Sequence, residues 1–132
     1  MKLGLKDKAV LVTGGNRGIG LSIALAFAEQ GVHVAICGRD ESALARAQGE
    51  IADRGVRTAA IATDLFTAEG CARAVGEAAD VLGRLDVLVN NASTSVSGAL
   101  ESLSDEKLME RLTGKTLASM RCARAALPHL RK

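Results

Sequence analysis

Short apolar runs alternate along this chain with longer segments whose apolar residues recur at helical spacing. The runs are Lys8–Thr13 (KAVLVT), Val32–Cys37 (VHVAIC), Val56–Ala62 (VRTAAIA) and Leu85–Asn90 (LDVLVN). Each places β-branched or other apolar residues at consecutive rather than alternate positions. That pattern predicts strands of a parallel sheet covered on both faces. Between them, Gly18–Gln30, Glu41–Arg54 and Ala68–Leu82 are rich in strong helix formers and carry the helical period. A last helical stretch is expected from about Ser104 to Leu127. Ser104-Asp105-Glu106-Lys107 offers its start, with acids in the first turn. Pro128, the only proline, is expected to end or kink it. Strand and helix thus alternate four times with short connections. This predicts one three-layer α/β domain over residues 1–132, with a parallel sheet, right-handed crossovers and helices on both faces. No linker or low-complexity segment interrupts it.

Composition narrows the chemistry. Apolar residues make up 48% of the chain but aromatics only 2%, so the core must be aliphatic. The 17 basic and 15 acidic residues are scattered, and no basic block points to a nucleic-acid or membrane partner. The scarcity of stacking aromatics argues further against single-strand binding. Cys37, Cys71 and Cys122 are odd in number and form no CxxC pair, and only His33 and His129 could join them as soft ligands. No metal site is expected, and reduced thiols fit a cytoplasmic protein. The segment MKLGLKDKAVLVTGG has neither the long apolar core nor the cleavage site of a signal peptide, and no run is long enough to span a membrane.

The concentrated signal is VTGGNRGIG, Val12–Gly20, between the first expected strand and the first expected helix. Backbone amides at a helix N-terminus carry partial positive charge and suit a phosphate. Side chains there would hold the ligand away, which favours glycine. The spacing decides the type of site. Gly15 and Gly20 mimic a triphosphate-binding loop, but Leu21-Ser22 stands where Lys-Ser/Thr is required. A GxGxxG fingerprint fails because Asn16 lies two residues after Gly14. Gly14-x-x-x-Gly18-x-Gly20, preceded by Thr13, is what the sequence contains.

In these residues the sequence resembles the short-chain dehydrogenase/reductases. TGGNRGIG matches that family's TGxxxGIG motif, and NNAS at Asn90–Ser93 resembles its NNAG motif. Asp64, after the third strand, matches the acid that in the family contacts adenine, and RAALPHL (Arg124–Leu130) resembles the helix end that follows. The matches fall in order from Lys8 to Lys132, and their glycine spacing is that of the shorter branch of the family. The Thr13 start and the NNAS motif set the loop apart from that of a methyltransferase. The resemblance implies a Rossmann-type doubly wound sheet, here incomplete at about four β-α units, that binds a dinucleotide. It implies pyrophosphate contact at Gly14, Gly18 and Gly20, with Asn16, Arg17 and Ile19 in the same loop. It places adenine beside Asp64 and Leu65, the cofactor's ribose beside Asn90, and Ala92 next to the cofactor; Asn91 would brace the strands. Ser93 stands where the family has glycine.

The end of the second strand bears on the choice of cofactor. An acid there pairs with the ribose 2′-hydroxyl of NAD, and a basic group accommodates a 2′-phosphate. Gly38 occupies the acid's place, Arg39 follows, and Arg17 can add a second positive group, while Asp40 is placed to cap the next helix. NADP(H) is therefore expected over NAD(H).

The chemistry is a different matter. Hydride transfer to a carbonyl needs a proton donor near the carbonyl oxygen, in the family a tyrosine four residues before a lysine. This chain has no tyrosine. Where the family's catalytic asparagine would fall, 13 residues before the proline, stands Lys115, which is not assigned a catalytic role. No residue is assigned as catalytic or metal-ligating. The expectation is the cofactor-binding half of an alcohol/ketone oxidoreductase, truncated before the Tyr-Lys segment, its small carbonyl or alcohol substrate bordered by Ser95, Val96 and Leu100. In full-length form the resemblance implies a homo-oligomer. The alternative is a non-catalytic nucleotide-binding or regulatory module derived from the same family.

Overall fold

The four apolar runs become four parallel strands in one sheet: β1 (Ala9–Thr13), β2 (His33–Gly38), β3 (Thr58–Ala62) and β4 (Val87–Val89). The computed structural model describes residues 2–94 and 96–132. Strand order is β3-β2-β1-β4, so the chain lays down β2 and β3 on one side of β1 and then returns to place β4 on the other. Ala9 lies opposite His33, Val10 opposite Val87, and Gly38 opposite Ala62. The helices α1 (Gly18–Glu29), α2 (Glu41–Ala52) and α3 (Ala68–Leu82) connect them.

Alternation along β1 divides the core in two. Val10 and Val12 point with Val34 and Ile36 toward α1 and α2, where Ala24, Ala28, Leu44, Ala47 and Ile51 meet them. Ala9 and Leu11 point the other way with Ala35, Ala59 and Ile61. That second face is covered by α3 and by the last helix. The three-layer expectation therefore holds. Small residues line the covering helices, Ala118, Cys122 and Ala126 forming one stripe at a spacing of four. The fully buried core is accordingly aliphatic apart from three cysteines, and holds no ring among the described residues, since such stripes let helix backbones approach closely and leave little room for one.

Each of three helices opens with a side-chain cap. Asp40 accepts the amide of Ala43, Thr67 that of Gly70, and Ser104 that of Lys107. Asp40 therefore does cap α2. The last helical stretch begins as expected after Ser104 but is not uniform. It runs as α4 (Asp105–Leu112), a wide π-type turn over Thr113–Leu117, and α5 (Ala118–Leu130). The expected stop at Leu127 is not observed, and α5 continues through Pro128 to Leu130. Proline forfeits one amide bond, but Pro128 lies in the final turn, where little helix remains to be disrupted. A short 3₁₀ turn over Leu100–Ser102 had no sequence signal.

Among the described residues β4 is the shortest strand, pairs only with β1 and lies at an edge of the sheet. Its approach is fixed by Asp86, whose carboxylate accepts the amide of Ala9 at 2.9 Å and two hydrogen bonds from Arg84 at 2.7 Å each. Those Arg84 hydrogen bonds hold the Asp86 carboxyl below the usual carboxylate range; partial burial opposes them and the Ala9 amide reinforces them. Because the folded value is depressed, the stabilisation is present above the ordinary carboxylate pKa and is lost as pH falls through the lower folded value. Asp86→Ala would leave the fully buried Ala9 amide without its acceptor, a loss of about 2 kcal/mol at pH 7. The gap between wild type and variant should shrink below about pH 4. Urea unfolding at pH 7 and pH 3 checks both statements, and a pH-independent gap would refute the carboxylate's part.

Candidate functional site

The parallel register brings the carboxyl ends of all four strands to one side of the sheet, and a cleft of about 730 Å³ opens there. It lies where the strand order reverses between β1 and its two neighbours, the usual ligand crevice of an open α/β sheet. Its walls are the loops that follow the strands: Gly14–Gly20 after β1, Gly38 and Arg39 after β2, Thr63–Phe66 after β3, and Asn91–Thr94 after β4. Glu110 and Gly114 of the last helical stretch close one side.

Thr13 ties the first and last of these loops together. Its buried hydroxyl donates to the Val89 carbonyl at 3.3 Å and accepts the amides of Asn91 and Ala92, both at 3.0 Å. Asn91 reaches back, its side-chain Nδ2 donating to the carbonyls of Thr13 at 3.0 Å and Gly14 at 3.2 Å. Asn91 thus braces the glycine loop. A further bond from the Asn91 amide to Val89 turns the chain sharply after β4. That turn puts Asn91 at the cleft wall and leaves Asn90 exposed, not among the lining residues.

The start of α1 differs from those of α2, α3 and α4. Its preceding residue, Arg17, provides no side-chain cap, and no acid lies in its first turn. The first-turn amides are therefore left open on the cleft side, as a phosphate site requires. Gly18 adopts φ +54°, and a Cβ built there meets nothing within 4 Å. The bareness of Gly18 thus serves backbone conformation and approach from the cleft. Gly20 is bare for a different reason. A Cβ there would overlap the Gly14 carbonyl oxygen and the Asn91 Nδ2, so this glycine is required for packing of helix against loop. A pyrophosphate fits this cradle: first-turn amides that have no side-chain cap among the described residues, no carboxylate in the turn, and Arg17 at its edge.

At the opposite end, Asp64 accepts the amide of Phe66 at 2.9 Å and does not cap α3, which Thr67 does. Arg39 lies over the Phe66 ring, its guanidinium carbon 5.7 Å from the centroid. Of the residues expected at a cofactor site, Gly14, Asn16, Arg17, Gly18, Ile19, Gly20, Arg39, Asp64, Leu65 and Ala92 all line this one cleft. Thr63, Phe66, Thr94, Glu110 and Gly114 also line it and had not been singled out. Only Phe66 carried a signal, as an aromatic beside Asp64 in a chain with two phenylalanines.

Lys115 is exposed in the π-type turn and does not line the cleft. Of the expected substrate border, Leu100 is 72% exposed, Ser95 lies outside the described residues, and the Val96 carbonyl is held by Arg111 at 2.9 Å. The three cysteines, distant in sequence, meet in one core cluster. Burial pushes the thiols of Cys37 and Cys122 up to about 12 and raises that of Cys71. They stay protonated at neutral pH and are not nucleophiles.

A parallel sheet of this order, with an uncapped helix start facing a crevice at its switch point, defines a nucleotide-binding α/β protein. The short chain dehydrogenase family model matches residues 8–132. The chain belongs to that family. It is 37% identical over 128 residues to a 3-oxoacyl-[acyl-carrier-protein] reductase of rhamnolipid biosynthesis from Pseudomonas aeruginosa, covering 97% of this chain and 50% of the relative. Among solved structures, L-sorbose reductase from Gluconobacter frateurii, complexed with NADPH and L-sorbose, superposes with a TM-score of 0.93. It is 33% identical, over 99% of this chain and 50% of that one. An NAD⁺-bound xylitol dehydrogenase superposes with a TM-score of 0.88 at 26% identity, over 96% of this chain and 49% of that one. The chain spans about half the length of the curated relatives it matches. Among the described residues, no helix is long and apolar enough to cross a membrane.

Proposed function

We propose that this chain is the cofactor-binding half of a short-chain oxidoreductase that uses NADP(H) to interconvert a small alcohol and its ketone. The observation that carries the proposal is the uncapped start of α1, open to a cleft that also holds Gly38, where an acid would select NAD, and Arg39 directly after it. When bound, the cofactor supplies or accepts the hydride. This chain's own part is binding. The α1 amides and Arg17 receive the pyrophosphate, Asp64 and Leu65 border the adenine, and Arg39 neutralises the 2′-phosphate. The chain contains no tyrosine, so proton transfer is not assigned to it. Met109, Leu112 and Met120, all more than half exposed on α4 and α5, are assigned to a subunit contact in a homo-oligomer.

Arg39→Asp should weaken NADPH binding by about tenfold or more while changing NADH binding far less, because a charge-assisted hydrogen bond contributes about 1.5–3 kcal/mol. Titration of protein with each reduced nucleotide, followed by nucleotide fluorescence, reads this directly. Equal losses for the two nucleotides would refute the 2′-phosphate role.

A further inference from the structure

The cleft contains a single aromatic ring, and neither the glycine loop nor the NNAS turn explains it. Phe66 is one of two phenylalanines in a chain without tyrosine or tryptophan. It is held from several sides. Its amide donates to the Asp64 carboxylate at 2.9 Å, and its carbonyl accepts from Arg121 at 3.5 Å. Its ring edge rests against Gly114 in the π-type turn, so closely that a Cβ at 114 would come within 2.7 Å of Cζ. The wide turn and its glycine thus give the ring a seat. Upon it lies the Arg39 guanidinium, the end of a long, exposed side chain that has no ion-pair partner among the described residues. Asp64 lies in the same cleft, but its carboxylate faces the Phe66 amide.

We propose that Phe66 is the positioning residue for Arg39: its ring holds the guanidinium at the adenosine end of the cleft, and selectivity for a 2′-phosphate depends on that ring. The proposal rests on the reading of the cleft as an NADP(H) site. A free arginine must surrender rotamer freedom when it grips a phosphate. One already lying on an aromatic face has surrendered much of it, and the cation–π attraction maintains the pose. Phe66 therefore acts through Arg39 and not on the nucleotide itself.

The test compares two small probes that differ only in the 2′-phosphate, adenosine 2′,5′-bisphosphate and adenosine 5′-monophosphate, by calorimetric titration. Wild type should prefer the bisphosphate, and Arg39→Gln should abolish that preference. Phe66→Leu, and Phe66→Met as a second ringless variant that refills the space, should cut the preference by about fivefold while leaving monophosphate affinity within about twofold. Phe66→Tyr should retain the wild-type ratio, and Phe66→Leu should add nothing in the Arg39→Gln background. Equal weakening of both probes would show that the ring contacts the base, and would overturn the proposal. So would an unchanged ratio, or a further loss beyond Arg39→Gln. The NADP(H) reading fails separately, and earlier, if wild type and Arg39→Gln bind the two probes alike.

Discussion

Gly20→Ala should destabilise the fold by about 3 kcal/mol, whereas Gly18→Ala, two residues away, should cost only about 1 kcal/mol. The new methyl at 20 would enter space occupied by the Gly14 carbonyl oxygen and the Asn91 amide nitrogen. Neither neighbour is free to retreat. Gly14 is held through its amide to the Cys37 carbonyl at 2.9 Å, and Asn91 is bonded to two carbonyls of the same loop. Relief would have to come from the backbone, with α1 lifting from the sheet. At 18 the methyl meets nothing, and only the left-handed backbone resists it. The two variants should therefore separate stability from binding. Gly18→Ala should remain folded but bind NADPH poorly, because its methyl stands on the cleft side of the phosphate cradle. Urea denaturation with nucleotide titration on each variant distinguishes them, and equal stability of the two would refute the packing role of Gly20.

Thr13→Val should also cost about 3 kcal/mol, from loss of hydrogen bonds at nearly unchanged volume. Thr13 is only 2% exposed, and its hydroxyl is the acceptor for the amides of both Asn91 and Ala92. Valine leaves the Ala92 amide without its acceptor, leaves the Asn91 amide only the Val89 carbonyl at 3.1 Å, takes a donor from that carbonyl, and adds an apolar methyl where these groups converge. Thr13→Ser keeps the hydroxyl and should lose little. Amide exchange at Asn91 and Ala92 should accelerate in Thr13→Val and not in Thr13→Ser. If the two variants unfold at the same denaturant concentration, the loops are held together by something other than this hydroxyl.

What was legible in the sequence follows from what is local. The run AVLV in β1 announces a strand buried on both faces, because every position in it is apolar, and all four residues are fully buried. The glycine loop was legible because its spacing is a backbone property. β4 was overextended, since Leu85 is apolar and buried but precedes the ladder, which a strand with one neighbour holds for only three residues. Between Asn90 and Asn91, spacing cannot say which faces the cleft. The turn closed by the Asn91 amide on Val89 decides it. The π-type turn left no trace in the sequence, because Thr113-Gly114-Lys115 fits an ordinary helix. Only the approach of Phe66 and Thr94 to Gly114 gives that glycine its purpose. The seat of Arg39 on Phe66 joins residues from two loops, and no periodicity within either encodes it.

The place of β1 in the sheet has a consequence for the order of assembly. It is synthesised before β2 and β4, the two strands that flank it. Its partnership with β2 can form early, while that with β4 awaits a segment translated several seconds later at about 5–20 residues per second. The Thr13 hydroxyl and the Gly14 carbonyl receive their partners only when Asn91 arrives. The nascent chain therefore carries a glycine loop long before it owns a phosphate cradle. On the proposed function, nucleotide cannot guide the early steps of folding; it acts by mass action only once β4 has docked beside β1.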